Sequence, residues 1–100
     1  MDISELKNNA SKASELLKVM ANQSRLMILC NLLDGEKSVQ QLQGHVGLSQ
    51  SALSQQLAIL RGQRLVSTRR EAQSVYYSLA SEEAETLIGT LYEIYCNDKS

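Results

Sequence analysis

The stretch Gln40-Gln41-Leu42-Gln43-Gly44-His45-Val46-Gly47-Leu48-Ser49-Gln50-Ser51-Ala52-Leu53-Ser54-Gln55-Gln56-Leu57, continued by a basic segment to Tyr77, decides the fold. Two short helical patterns meet at Gly47-Leu48. The second presents small polar side chains on its outer face: Ser49, Gln50, Ser51, Ser54 and Gln55. Leu53, Leu57 and Leu60 recur at helical spacing and hold the same helix to a core. A face of this kind offers hydrogen bonds at low bulk, which suits a helix entering the major groove of DNA. It is a poor design for a catalytic pocket.

Outward from this unit, Ser38 and Gln41 have the spacing of a capping box, which opens a short third helix ending near Val46. Gly47-Leu48 makes the turn, and Ser49 caps the fourth helix. Leu65 to Arg70 and Ser74 to Leu79 read as two strands joined at Glu71-Ala72-Gln73, with Val66, Thr68, Val75, Tyr76 and Tyr77 as strand formers. That connection lacks Gly or Asn, so the sequence leaves its geometry open.

Upstream, Ile3, Leu6, Ala10, Ala13, Leu17 and Met20 make one apolar stripe on a helix from about residue 4 to 20. A second helix begins at the N-cap Asn22 and runs to Leu33, where Asp34-Gly35 stops it. Downstream, Ser81 caps a last helix, and Glu82, Glu83 and Glu85 sit at the positive end of its dipole. Ala84, Leu87, Ile88, Leu91 and Tyr95 form its apolar face. The predicted order is four helices, a β-hairpin and one more helix. This is a mainly α winged helix-turn-helix in a single domain spanning residues 1–100.

One hundred residues build one small core, with no Phe, Trp or Pro to fill it. Such a lean core gains from association, so the apolar terminal helices, 4–20 and 81–96, are the expected homodimer interface. Nothing approaches the roughly 20 apolar residues of a membrane span. The acidic start Asp2-Ile3-Ser4-Glu5 is unlike a signal peptide, and the expected location is the cytoplasm.

The net charge of −1 argues mildly against nucleic acid, but its distribution does not. Residues 49–80 hold four arginines (Arg61, Arg64, Arg69 and Arg70) and a single acid, Glu71. The positive charge therefore lies beside the polar helix, where phosphate contacts are needed. Gln50 and Gln55 are long amides suited to base edges; Ser49, Ser51 and Ser54 suit bases or phosphates. Arg61, Arg69 and Arg70 suit phosphates, with one wing arginine available to the minor groove. Gln73 stands at the wing tip. The bland alternative for all of them is a solvated surface.

No nucleophile–base pair, phosphate loop or carboxylate constellation is present, so an enzyme is not expected, and no cofactor is implied. His45, the lone histidine, reads as an ordinary surface residue rather than a metal ligand. Cys30 shares a helical face with Leu26, Leu29 and Leu33, and is either a core hydrophobe or one half of a redox pair with Cys96. Cys96 lies off the last helix's apolar stripe, nearer Tyr92, and should be the more accessible thiol.

Three segments carry a family resemblance. They are Leu16-Leu17-Lys18-Val19-Met20-Ala21-Asn22 with Arg25-Leu26, then Leu48-Ser49-Gln50-Ser51-Ala52-Leu53-Ser54-Gln55, and Glu71-Ala72-Gln73-Ser74-Val75-Tyr76-Tyr77. Together they resemble the ArsR (SmtB) family of bacterial winged-helix transcription regulators over nearly the whole chain. Cys30 and Cys96 fall where the dithiol branch of that family, which includes HlyU-, BigR- and SqrR-like regulators, places its cysteines.

The resemblance implies a homodimer on double-stranded DNA at a partly palindromic operator. Residues 49–60 would be the recognition helix and 65–79 the wing. Reactive sulfur species or oxidants would act at Cys30 and Cys96 as inducer. The two metal sites known in the family look absent, because the third helix has no thiol and the last no histidine. Two positions depart from the pattern: Gln56 stands where the branch usually has His, and Arg64 where a Gly usually precedes Leu-Val. Two other readings stay open. One is a regulator with inert cysteines, controlled by its level or by a metal bound elsewhere; the other is a protein-interaction module that reads no DNA.

Overall fold

The computed structural model describes residues 2–96. In chain order these residues form α1 (Ile3–Met20), α2 (Gln23–Asn31), β1 (Lys37–Ser38), α3 (Val39–Val46), α4 (Gln50–Gly62), β2 (Val66–Glu71), β3 (Ser74–Leu79) and α5 (Glu82–Tyr95). The winged helix-turn-helix predicted from the sequence is the fold observed.

Helix starts are set by side-chain caps in each case. Asp2, Asn22, Ser38, Ser49 and Ser81 accept from the backbone N–H of Ser4, Arg25, Gln41, Ala52 and Ala84, satisfying donors the first turn leaves unpaired. Ser38 and Gln41 complete the capping box: the Gln41 side chain accepts from the Ser38 N–H at 2.8 Å. Helix α2 ends earlier than the apolar run suggests. Leu32 is its C-cap, and Leu32 and Leu33 turn inward in a looser turn rather than extending the helix.

The sheet has the order β1-β3-β2 and is antiparallel. Strand β1 was not legible in the sequence. It is two residues long, with Lys37 opposite Tyr77 and Ser38 opposite Tyr76, and exists because β3 offers it an edge. In the wing, Val66 pairs with Leu79, Thr68 with Tyr77 and Arg70 with Val75, while Arg69 pairs with Tyr76. Ala72, with φ +54, occupies the first of the two connecting residues. A positive φ there and not at the second residue is the pattern of a type II′ hairpin turn.

Met20, Ile28, Leu29, Leu32, Leu42, Val46, Leu53, Leu57, Leu60, Leu65, Val66, Ala84 and Ile88 form one contiguous core. Every helix contributes to it. The turn from α4 into the wing is a Schellman motif: Leu65 N–H donates to Leu60 C=O at 2.9 Å and Arg64 N–H to Arg61 C=O at 3.0 Å. Arg64, where glycine is the expected residue, takes the left-handed conformation itself, with φ +62. The chain therefore keeps the turn and places a side chain in it.

Candidate nucleic-acid interface and thiol pair

Helices α3 and α4 meet through Gly47, whose φ of +78 makes the left-handed C-cap that ends α3 and redirects the chain. Leu53, Leu57 and Leu60 are buried and fix the inner face of α4. Ser49, Gln50, Ser51, Ser54 and Gln55 are all exposed on its outer side. Ser49 caps the helix by accepting from Ala52 N–H at 3.2 Å, which leaves its own hydroxyl hydrogen to donate. The surface combines a fixed backbone with unspent amides and hydroxyls, as base reading requires.

Gln56 is not part of that surface. Its side-chain oxygen accepts from Arg25 Nη1 at 3.0 Å, and Arg25 Nε donates to Val19 C=O at 2.6 Å. One half-buried guanidinium thus joins the end of α1, the start of α2 and the middle of α4. The sequence showed Gln56 only as a departure from a pattern; its partner, 31 residues away, could not be read from it.

The predicted basic residues, Arg61 at the end of α4 and Arg69 and Arg70 on the wing, differ in their surroundings. Arg61 and Arg70 are exposed, and no ion pair involves them among the described residues. Arg69 is also exposed, but its guanidinium is engaged. Nε donates to both carboxylate oxygens of Glu36, Nη2 donates to Glu36 as well, and Nη1 donates to Glu71 at 2.9 Å. Its guanidinium carbon also lies 4.6 Å from the centroid of the Tyr76 ring. These bonds hold the Glu36 carboxyl below the usual range and push the Arg69 guanidinium higher still. Arg69, read from the sequence as suited to phosphate, is thus already engaged by Glu36, which the sequence did not place beside it. Gln73, at the wing tip, is exposed as expected.

The two thiols lie on helices that pack against each other, α2 and α5. Cys30 is half-buried on α2, against the core. Cys96 is the exposed C-cap of α5, its N–H donating to Tyr92 C=O at 2.8 Å. Burial pushes the Cys30 thiol up from its ordinary pKa, and the neighbouring Cys96 adds to the rise. A cleft of about 400 Å³ opens beside Cys30, lined also by Lys37, His45 and Tyr92. His45 thus lies nearer the thiol than the sequence indicated. Among the described residues, no three His, Cys, Asp or Glu side chains are grouped to hold a metal ion.

Comparison with known proteins agrees with this fold. Residues 22–68 match the family model described as bacterial regulatory protein, arsR family. The chain is 53% identical over 96 residues to the transcriptional activator HlyU of Vibrio cholerae, covering 96% of this chain and 89% of that protein. It is 42% identical to the biofilm growth-associated repressor of Agrobacterium fabrum, over 96% of this chain and 86% of that one. The structure of reduced HlyU from Vibrio cholerae superposes with a TM-score of 0.91, covering 95% of this chain and all of that one. This chain belongs to the ArsR family of bacterial regulatory proteins and is a DNA-binding transcription regulator, not an enzyme.

Proposed function

We propose that this regulator binds a partly palindromic operator as a homodimer, and that joining Cys30 to Cys96 by oxidation or polysulfide chemistry releases it. What supports the switch is the placing of the two thiols on helices that pack together, Cys30 at the core edge of α2 and Cys96 at the end of α5. They lie near enough that the charge of one bears on the other. A bond between them would tie the helix beneath the DNA-reading unit to the last helix. It would then shift the equilibrium between operator-competent and incompetent dimers.

The dimer reading is supported by apolar side chains that one chain leaves uncovered. Ile3 is 78% exposed, Leu17 53%, Ile94 63% and Tyr95 80%, all on α1 and α5. A second copy would bury them, with both recognition helices then facing one duplex. The exposed polar face of α4, with Arg61 and Arg70 beside it, supplies the DNA contacts. Relatives this similar in sequence include a protein named an activator and one named a repressor, so the fold alone does not set the direction of regulation.

The chemistry balances in either form. Hydrogen peroxide takes two electrons and two protons from the thiols, giving one S–S bond and two waters. With an organic tetrasulfide, the Cys96 thiolate displaces a persulfide anion. Cys30 then displaces the remaining thiolate and closes a bridge with one extra sulfur. Cys96 is the better first nucleophile because it is exposed, whereas burial disfavours the thiolate of Cys30.

The half-burial of Cys30 against the core also favours a second reading, in which the cysteines are inert. Intact mass after treatment and thiol capping, paired with operator binding, decides between them. A Cys30–Cys96 bridge that forms together with loss of binding supports the switch. Capped thiols with unchanged binding, or a Cys30→Ser variant that still responds, would sink it.

A further inference from the structure

The wing carries adjacent arginines, and the sheet register sends them to opposite faces. Arg70 shares a face with Thr68 and Val66 and pairs with Val75. That face is turned toward the helix-turn-helix: Tyr77 and Leu79 pack on the core, and Val75 borders a cleft with Val39 and Gln40 at the start of α3. Arg69 points to the far face, with Tyr76 across from it and Ser38 beyond in β1. Glu36, two residues before Ser38, falls on the same far face and receives the guanidinium.

We infer that Arg69 is a positioning residue that clamps the wing to the α2–α3 connection, and that Arg70 is the wing's phosphate contact. The inference rests on the proposed docking of a dimer through α4 and the wing. Besides the clamp, the hairpin is held by its own ladder, by the two-residue β1 and by the packing of Val66, Tyr77 and Leu79 on the core. Those three side chains lie nearer its base than Arg69 and Arg70 and on the opposite face from Arg69. The clamp fixes the wing at the point where the chain leaves α2 for the helix-turn-helix. A guanidinium with three of its nitrogens committed to its own acids, on the face away from α4, is poorly placed to meet DNA. Arg70 has neither constraint.

The competing arrangement makes Glu36 and Glu71 stand-ins for phosphate, holding Arg69 until DNA displaces them. The two differ in sign. Full-length protein would be titrated, over a range of salt, against a duplex that the wild type selects from a random pool. Arg70→Gln should flatten the log-affinity against log-salt slope by about 0.9 per protomer, or roughly two units for a dimer. Arg69→Lys keeps the charge but loses the fork that grips two carboxylates. It and Glu36→Gln should each weaken binding about three- to tenfold with the slope unchanged.

The double variant should fall no further than the weaker single, because both substitutions open one clamp. Tighter binding and a steeper slope for Glu36→Gln, or wild-type affinity for Arg69→Lys, would overturn the inference. So would an unchanged slope for Arg70→Gln. Circular dichroism of each variant separates wing displacement from unfolding. If the wild type selects no duplex at all, the docking itself is wrong, an outcome distinct from a wild type that binds with misassigned arginines.

Discussion

Replacing Arg64 with glycine should make the protein more stable, although it removes a whole side chain. Arg64 occupies the left-handed position of the Schellman turn between α4 and the wing, at φ +62. An L-residue there is disfavoured by about 1–2 kcal/mol, because Cβ crowds the following carbonyl. Glycine removes that cost but adds freedom to the unfolded chain worth about 0.5–1 kcal/mol in the opposite direction. The expected net gain is about 0.5–1 kcal/mol, which for a domain of this size raises Tm by about 2–8 °C.

Thermal melts at one fixed protein concentration measure the gain, since the proposed dimerisation would make Tm concentration-dependent. Arg64→Ala is the control. It loses the same charge and the same exposed side chain but keeps Cβ in the strained position. Glycine should therefore exceed alanine by more than it exceeds the wild type, if the arginine stem makes any favourable contact. A glycine variant that melts no higher than the alanine variant would show that strain at this turn does not exceed the entropy cost of glycine, and the reasoning from φ would fail.

Other substitutions test separate links. Ala72→Gly at the wing tip relieves a second positive φ and should stabilise by up to about 1 kcal/mol in urea unfolding, without changing the denaturant slope. Leu57→Ala removes a side chain only 2% exposed beneath the recognition helix and should cost about 2–5 kcal/mol in the same assay. Ser38→Ala breaks the capping box and should cost about 1 kcal/mol, seen as faster amide exchange in the first turn of α3. Cys30, with its pKa raised by burial, should alkylate more slowly than a free thiol at pH 8 in a Cys96→Ser background. The folded state favours the protonated thiol, so its stabilising contribution holds at lower pH and is lost as pH climbs through the raised value. A rate matching free cysteine would place Cys30 in water.

Local signals were legible because the physics behind them is local. Ser38-Gln41, Ser49 and Ser81 cap the helices they were expected to cap, since a cap and its donor lie within three residues. The outer face of α4 followed from the 3.6-residue period of Leu53, Leu57 and Leu60. Strand β1 was invisible for the converse reason. Lys37-Ser38 has no strand propensity of its own and becomes a strand only against β3. The fate of Arg69 depended on Glu36, 33 positions away, and the placing of Gln56 on Arg25. Helix α2 was read too long because Leu32 and Leu33 continue its apolar pattern while leaving its axis. Long-range pairing decided each of these, and a single sequence does not encode it in spacing.

Arg25 has a mechanical consequence. Its two hydrogen bonds make it a strut between the last turn of α1, at Val19, and the centre of the recognition helix, at Gln56. Hydrogen bonds are short-range and directional, so α4 cannot roll or slide relative to the end of α1 without breaking one of them. Any tilt imposed on the terminal helices therefore reaches the reading surface as rotation of a rigid lever, largest at the tip farthest from the pivot. If the protein docks on two half-sites as proposed, a small angle at the fulcrum becomes a mismatch in reach.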